Sequence, residues 1–546
     1  MRHYLAYIAL AAGVAACSST NSTSSTSSPS APPVSSGGSA PALDAITQSD
    51  IRRDMFAMAG DAMRGREGGT IDEMRATGWI AERAREAGLQ PAGDDATFFQ
   101  WWPMRRARLS ENSQLTVSGK TLRLWKDAVV LNAAQTLNVD LPIVFVSDTS
   151  ALSSADVRGK AVAIVVSPVP TQPLDQFTIR GNFQATLSAL VRQRAAAIAQ
   201  AGGAAAIIVS DDSPILNTAL DATAAVSSRG TYGIDSAGAP TGVFARAANQ
   251  NTQQGGAGGR GAGAAGAAGG GGRGRGGAAA IPTIWLRHDM LDAVRSPNAH
   301  LTALMFNETF YYPSGNVIGI VRGTDPKLAN EYVLFSGHQD HDGTRYSVNG
   351  DSIWNGADDN ASVSVAMLAA ARAFVKHPAP RPVLFVWHGS EERGLLGSRW
   401  FVGHPTVPQS QIIAVLNGDM IGRNNPDSAA LLGVQPPHRN SNALVNAALR
   451  ANAELTHFKL DTMWDKASHP EGWYFRSDHL PYARAGIPAV MFSTLLHPDY
   501  HTPRDEPSRI DIAKLTKMSQ WMYATAWIVA TASQRPDVIP GFKLER

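Results

Sequence analysis

Short apolar runs separated by polar, glycine-punctuated turns dominate the chain from Asn316 onward. "NVIGIVRG", "YVLFSG", "PVLFVWHG", "IIAVLNGD" and "IPAVMFST" are too short for helices and predict strands buried on both faces. Between and after them, "ASVSVAMLAAARAFV", "NSNALVNAALRANAEL" and "IDIAKLTKMSQWMYATAWIVATAS" have the length and apolar spacing of helices. This alternation predicts a three-layer α/β/α domain around a mostly parallel central sheet. Ligands of such sheets bind beyond the carboxyl ends of the strands. Upstream, "TIDEMRATGWIAERAREAGLQPAG" has helical spacing at Met74, Trp79, Ile80 and Ala84, closed by Gly88. From about Asn138 the texture changes: "LPIVFVSD", "KAVAIVVSP" and "AAAIIVSDD" predict strands around an alanine-rich helix over 187–201. The block 138–286 therefore reads as a smaller α/β domain inserted into the first, with 46–137 and 287–540 forming the larger one.

Composition and charge narrow the classes. The 546 residues are 44% hydrophobic and 17% charged, as in a globular protein. A net charge of +2 carries no polyelectrolyte signature, so nucleic acid is not an expected partner. Cys17 is the one cysteine, which excludes disulfides within the chain. It closes "MRHYLAYIALAAGVAACSST", a basic start followed by an apolar run too short to span a bilayer. Val14-Ala15-Ala16-Cys17 resembles a bacterial lipobox. Residues 1–17 are thus expected to be a lipoprotein signal, with lipidated Cys17 as the membrane anchor. Residues 18–45, rich in Ser, Thr and Pro, would be a flexible tether. Ser18 after the cysteine favours the outer membrane, and hence the periplasmic side of the cell envelope. Within the smaller domain, residues 253–279 are so glycine-rich that ordering them costs too much backbone entropy, and a mobile loop is expected. Three arginines without aromatics do not make that tract an RNA binder. By pattern alone, the smaller domain resembles the protease-associated domain found within secreted peptidases.

Acids and histidines collect where the predicted strands end. His338-Gln339-Asp340 follow "VLFSG", and Asp358-Asp359-Asn360 open a helix. Glu391 and Glu392 follow "VLFVWHGS", Asp419 follows "AVLNG", and Tyr500 and His501 lie beyond "VMFST". Two adjacent glutamates at a strand end repel one another and lose solvation unless a cation sits beside them. Imidazoles and carboxylates without thiolates suit zinc. Five such ligands serve two metals if one carboxylate bridges them.

The segments "SGHQDHDG", "NGADDNASVSVAMLAAA", "HGSEERGLLGS", "LNGDMIG", "RSDHLPYARAGIPAVMF" and "DYHTPRDEP" resemble the successive motifs of the co-catalytic zinc aminopeptidase family. That family includes bacterial leucyl aminopeptidases, glutamate carboxypeptidase, the catalytically silent transferrin receptors and glutaminyl cyclases. The resemblance covers roughly residues 316–532, with a looser echo in "GDAMRGREGGT". It implies two zinc ions per chain, with His338 and Asp419 on one, Glu392 and His501 on the other, and Asp359 between them. It further implies Glu391 as general base, Tyr500 as the donor to the oxyanion, and Asp340 as the acid that holds the ring of His338. Asp478 and His479 either shape the substrate pocket or brace it, and Asp505 is a candidate supporting acid. Two departures stand out: Val363 where the family usually has glycine, and Gly418 where an apolar residue is commoner.

The implied activity is hydrolysis of N-terminal residues from peptides. A carboxypeptidase or dipeptidase on the same scaffold remains open, because the metal centre does not choose which end is trimmed. A glutaminyl cyclase is disfavoured because it works with one zinc and need not keep the whole set. A silent binding protein is disfavoured because all five ligands and Glu391 are present. No G-x-S-x-G elbow, H-E-x-x-H pair or Walker A loop occurs.

Overall fold

The computed structural model describes residues 40–131, 137–167, 184–235, 281–348 and 350–545. The expected signal peptide with Cys17, residues 18–39 of the tether and the glycine-rich tract 253–279 lie outside them. Among the described residues, no helix is long and apolar enough to cross a membrane.

Four strands form the centre of a ten-stranded sheet: β1 (Tyr332–His338), β2 (Val383–His388), β3 (Ile412–Gly418) and β4 (Ala489–Ser493). They lie in the order β4-β3-β1-β2 and all run parallel. The outer neighbours are antiparallel: Asn307–Val321 pairs with β2, and Ser428–Leu432 with β4. The sheet is therefore mixed around a parallel centre, rather than parallel through most of its width. Every residue of the four central strands is buried, which is why they read as unbroken apolar runs.

Alternate side chains face opposite layers. Val333, Phe335, Phe385, Trp387, Ala414 and Leu416 pack against one group of helices. That group comprises Gln48–Met58, Ile71–Glu86, α1 (Ser362–Lys376), Asn442–Ala451 and α2 (Ile512–Thr531). On the other face, Leu334, Leu384, Val386 and Val415 meet Phe401 and Tyr482 from the short helices Leu396–Gly403 and His479–Arg484. The predicted helix after Thr70 runs from Ile71 to Glu86, with the Thr70 hydroxyl accepting from the Asp72 N–H. Gly88, at φ 94°, then turns the chain away. One long strand escaped the pattern. Phe99–Leu109 pairs along Asn307–Val321, and its arginines and tryptophans conceal the alternation.

A second sheet has eight strands, some within the block 138–286 and some outside it. Its centre, Leu137–Val146, Ala161–Val166, Ala205–Ser210 and Thr283–Leu286, is parallel. Gln114–Val117, Lys120–Thr121, Ala128–Val130 and His300–Met305, all outside 138–286, complete its edges. Thr231–Ile234, inside that block, instead pairs with Phe99–Leu109 of the main sheet. Both sheets belong to one compact unit of the described residues.

Candidate metal centre

The carboxyl ends of β1, β2 and β3 carry His338, the Glu391–Glu392 turn and Asp419, and the loop after β4 carries His501. Asp359 comes from the turn that leads into α1. The structure brings all five expected ligands together. One group of ligand atoms comes from His341, Asp359, Glu392 and His501, another from His338, Glu391 and Asp419, each within 4.8 Å. Asp359 faces both. Its Oδ1 lies 3.3 Å from His338 Nε2, and its Oδ2 lies 3.0 Å from His501 Nε2. Glu392 Oε1 is 3.2 Å from His501 Nε2. Asp419 Oδ2 and Glu391 Oε2 stand 3.9 and 3.8 Å from His338 Nε2.

His338 Nε2 and Glu392 Oε1 are buried without a hydrogen-bond partner among the described residues. Leaving such atoms unsatisfied is costly, and a cation between them removes the cost. The donor set, imidazole and carboxylate with no sulfur, fits zinc. The adjacent glutamates are driven apart. Burial works to raise both carboxyls. At Glu392 the imidazoles of His501 and His341 outweigh it and hold the group well below the usual range. At Glu391 burial prevails over the attraction of His338, and Asp478, Glu392 and Asp419 add to the rise.

Supporting contacts differ in part from expectation. His338 Nδ1 lies closest to the backbone carbonyl of Asp340, at 3.2 Å, and 3.8 Å from its carboxylate. The Asp340 carboxylate instead accepts from the N–H groups of Glu391 and Glu392, at 2.9 and 3.3 Å. It therefore holds the turn that carries the base rather than the ring of His338. Asp505 accepts from the N–H groups of Asp358 and Asp359, fixing the Asp359 turn. Ser390, Met420 and His501 sit at φ 54°, 56° and 49°. Such left-handed conformations cost about 1–3 kcal/mol each, and these three are at or beside site residues. Tyr500 packs on the His501 ring at 4.0 Å, and its phenol oxygen accepts from Arg476 at 3.3 Å. His479 is a buried packing residue, edge-on to Tyr474, and burial pushes its imidazole down to about 3. Asp478 accepts from the Ser398 hydroxyl behind the site.

Four residues that sequence reasoning left without a role stand at the centre. His341, three positions beyond His338, enters the ligand group itself. Asp342 Oδ2 lies 3.0 Å from His501 Nδ1, beside the ring but without hydrogen-bond geometry. Arg66, fully buried, donates to the carbonyls of Met58, Gln339, Asn355 and Gly356 and ties together the loops bearing His338 and Asp359. Arg229 arrives from the segment before Thr231–Ile234 and donates to the Asp342 carbonyl at 2.6 Å, with its other amine 3.3 Å from the carboxylate. His341 had a visible signal, a second histidine in "GHQDHDG". Arg229 had none.

Residues 316–526 match Peptidase family M28. The chain is 28% identical over 227 residues to a probable leucine aminopeptidase of Arthroderma benhamiae, covering 39% of this chain and 58% of that protein. It is also 28% identical over 273 residues to aminopeptidase YwaD of Bacillus subtilis, covering 48% and 55%. The chain thus spans little more than half the length of these curated relatives. Among solved structures, a zinc aminopeptidase from Bacillus subtilis aligns at TM-score 0.53 and 17% identity, over 91% of this chain and 99% of that one. An aminopeptidase from Aneurinibacillus sp. strain AM-1 aligns at 0.52 and 16%, over 90% and 96%. These likenesses show a shared fold.

Proposed function

We propose, from the match of residues 316–526 to Peptidase family M28, that the protein is a zinc-dependent exopeptidase, an aminopeptidase using two zinc ions. One observation carries the reading: the two oxygens of Asp359 face opposite imidazoles, with Glu391 on the His338 side. His338 and Asp419 would hold one ion, Glu392 and His501 the other, and Asp359 both. Zinc bound there supplies Lewis acidity toward water and the scissile carbonyl. Glu391 accepts the proton of the attacking water and delivers it to the leaving amine. Tyr500, its phenol oriented by Arg476, donates to the tetrahedral oxyanion. Asp340 keeps the Glu391 turn in place, and Asp342 stands beside Nδ1 of His501. The N-terminal pattern supports export and a lipid anchor at Cys17 on the periplasmic side of the cell envelope. Peptides are the proposed substrates.

One observation favours a second reading, carboxypeptidase or dipeptidase. Arg229, Arg345 and Arg393 gather around Asp342 and Glu67 beside His501. A cluster of guanidiniums suits a substrate carboxylate.

Peptides with free, N-acetylated or C-amidated ends, incubated with the zinc-loaded protein and analysed by mass, separate the readings. Cleavage of amidated but not acetylated peptides is expected. The reverse pattern would transfer the activity to the carboxyl end, and ammonia loss from N-terminal glutamine would indicate a cyclase. Glu391→Gln should lower turnover by about 10²–10⁴-fold with zinc content unchanged. A fully active variant would remove Glu391 from its role.

A further inference from the structure

His341 is fully buried, and neither ring nitrogen has a hydrogen-bond partner of good geometry among the described residues. Its Nδ1 lies 2.8 Å from Glu392 Oε1 and 3.9 Å from Asp359 Oδ2. The ring stands edge-on to His501, with centroids 5.1 Å apart. Little room remains to turn away. A Cβ on Gly356 would come within 2.3 Å of the His341 ring, so only glycine lets the ring lie where it does.

The atoms His341 Nδ1, Asp359 Oδ2, Glu392 Oε1 and His501 Nε2 are separated by 2.8, 3.0, 3.2 and 3.9 Å along the four measured pairs. Zinc bonds of about 2.0–2.1 Å in a tetrahedron place ligand atoms roughly 3.3 Å apart. The four atoms thus have the spacing of a complete tetrahedral set. On the other side, keeping Glu391 for the proton leaves His338, Asp419 and Asp359 Oδ1, a set of three.

We infer that His341 is a fourth protein ligand on the Glu392–His501 side, so that the two cation positions are unequal. The inference rests on the two-zinc reading above. Structural zinc sites have four protein ligands, whereas catalytic ones keep three and an open position. The four-ligand position therefore anchors its ion, and the three-ligand position, beside Glu391, is the one that takes water and substrate. A simpler role for His341 would be to donate its Nδ1–H to Glu392 and orient that carboxylate.

Cobalt substitution distinguishes them. Two cobalt ions per chain, measured by elemental analysis, test the two-metal reading itself. Proton NMR of that dicobalt protein then counts hyperfine-shifted, exchangeable imidazole N–H signals. Three are expected: His341 Nε2–H, His338 Nδ1–H and His501 Nδ1–H. Two signals at full cobalt loading would overturn the role of His341 while leaving the two-metal reading intact. Failure to bind cobalt or zinc would overturn both. Chelator titration of the zinc protein should remove the ions in two stages. His341→Ala should weaken the tighter one by about 100-fold or more, beyond the 10–100-fold typical of a residue that only orients a ligand. His341→Asn retains an N–H near the Nδ1 position. Its failure to restore affinity is the expected result, and restoration would reduce His341 to a donor.

Discussion

Asp342 shows how much of the site is carried by a residue that touches no reacting atom. It is 1% exposed, lies 3.0 Å from His501 Nδ1, and is faced by Arg229, Arg345 and Arg393. The carboxylate lies at the Nδ1 edge of a ring whose Nε2 faces the Asp359–Glu392 pair, and the three guanidiniums crowd around it. Burial, with Arg229 and Arg393 alongside, pushes the Arg345 guanidinium down to about 8, a sign of how crowded with cations this corner is. Asp342→Asn should weaken zinc binding by about 10–100-fold, measured by competition with a chromogenic chelator. An unchanged affinity would mean that His501 needs no such partner. Arg66 works differently, donating to four backbone carbonyls, and burial pushes it down to about 10 against the pull of Asp340, Asp505, Asp359 and Glu392.

At the scale of elements, the two departures from the resemblance meet at one contact. Val363 opens α1, and Gly418 ends β3 just before Asp419. A Cβ on Gly418 would stand 2.8 and 2.9 Å from the γ carbons of Val363, and one on Gly337, in β1, 2.5 Å from the first of these. Bulk absent from the strands has been supplied by the helix, so the layers still fill the same space. Gly418→Ala should cost about 1–3 kcal/mol through overpacking. Val363→Ala should relieve much of that cost in the double variant. Urea unfolding of the four-member cycle tests this, and strict additivity would sink the idea that the two positions compensate.

At the scale of the molecule, the end of the chain is latched by a buried histidine. His438 Nδ1 lies 2.9 Å from Asp465 and its Nε2 2.8 Å from Glu545, with Tyr474 stacked on its face at 4.2 Å and His479 nearby. Burial opposes the charged imidazole, but Asp465 and Glu545 outweigh it and raise the group above its ordinary value. A raised folded-state value means the contribution to stability is complete below about pH 6.5 and is lost as pH rises through the folded value. Relative to His438→Gln, the native protein should therefore lose stability over that rise, read from unfolding midpoints at a series of pH values. Parallel curves for the two proteins would show that the latch does not depend on charge. Arg229 acts at the same scale: it leaves a segment adjoining the second sheet and reaches the metal centre through Asp342.

The order of apolar runs was enough to establish alternating strands and helices, and His338, Glu391, Glu392 and Asp419 stand at or within a few positions of the end of such a run. Those features are local, since a strand end and the next few positions are neighbours along the chain. The mixed outer sheet, the edges of the second sheet, and the roles of His341, Asp342, Arg66 and Arg229 depended on which distant segments became neighbours. Arg229 and Asp342 are separated by 113 positions, and Arg66 and Gln339 by 273. A buried cation is stable only where carbonyls or carboxylates close around it, and that enclosure exists only once the sheets have assembled.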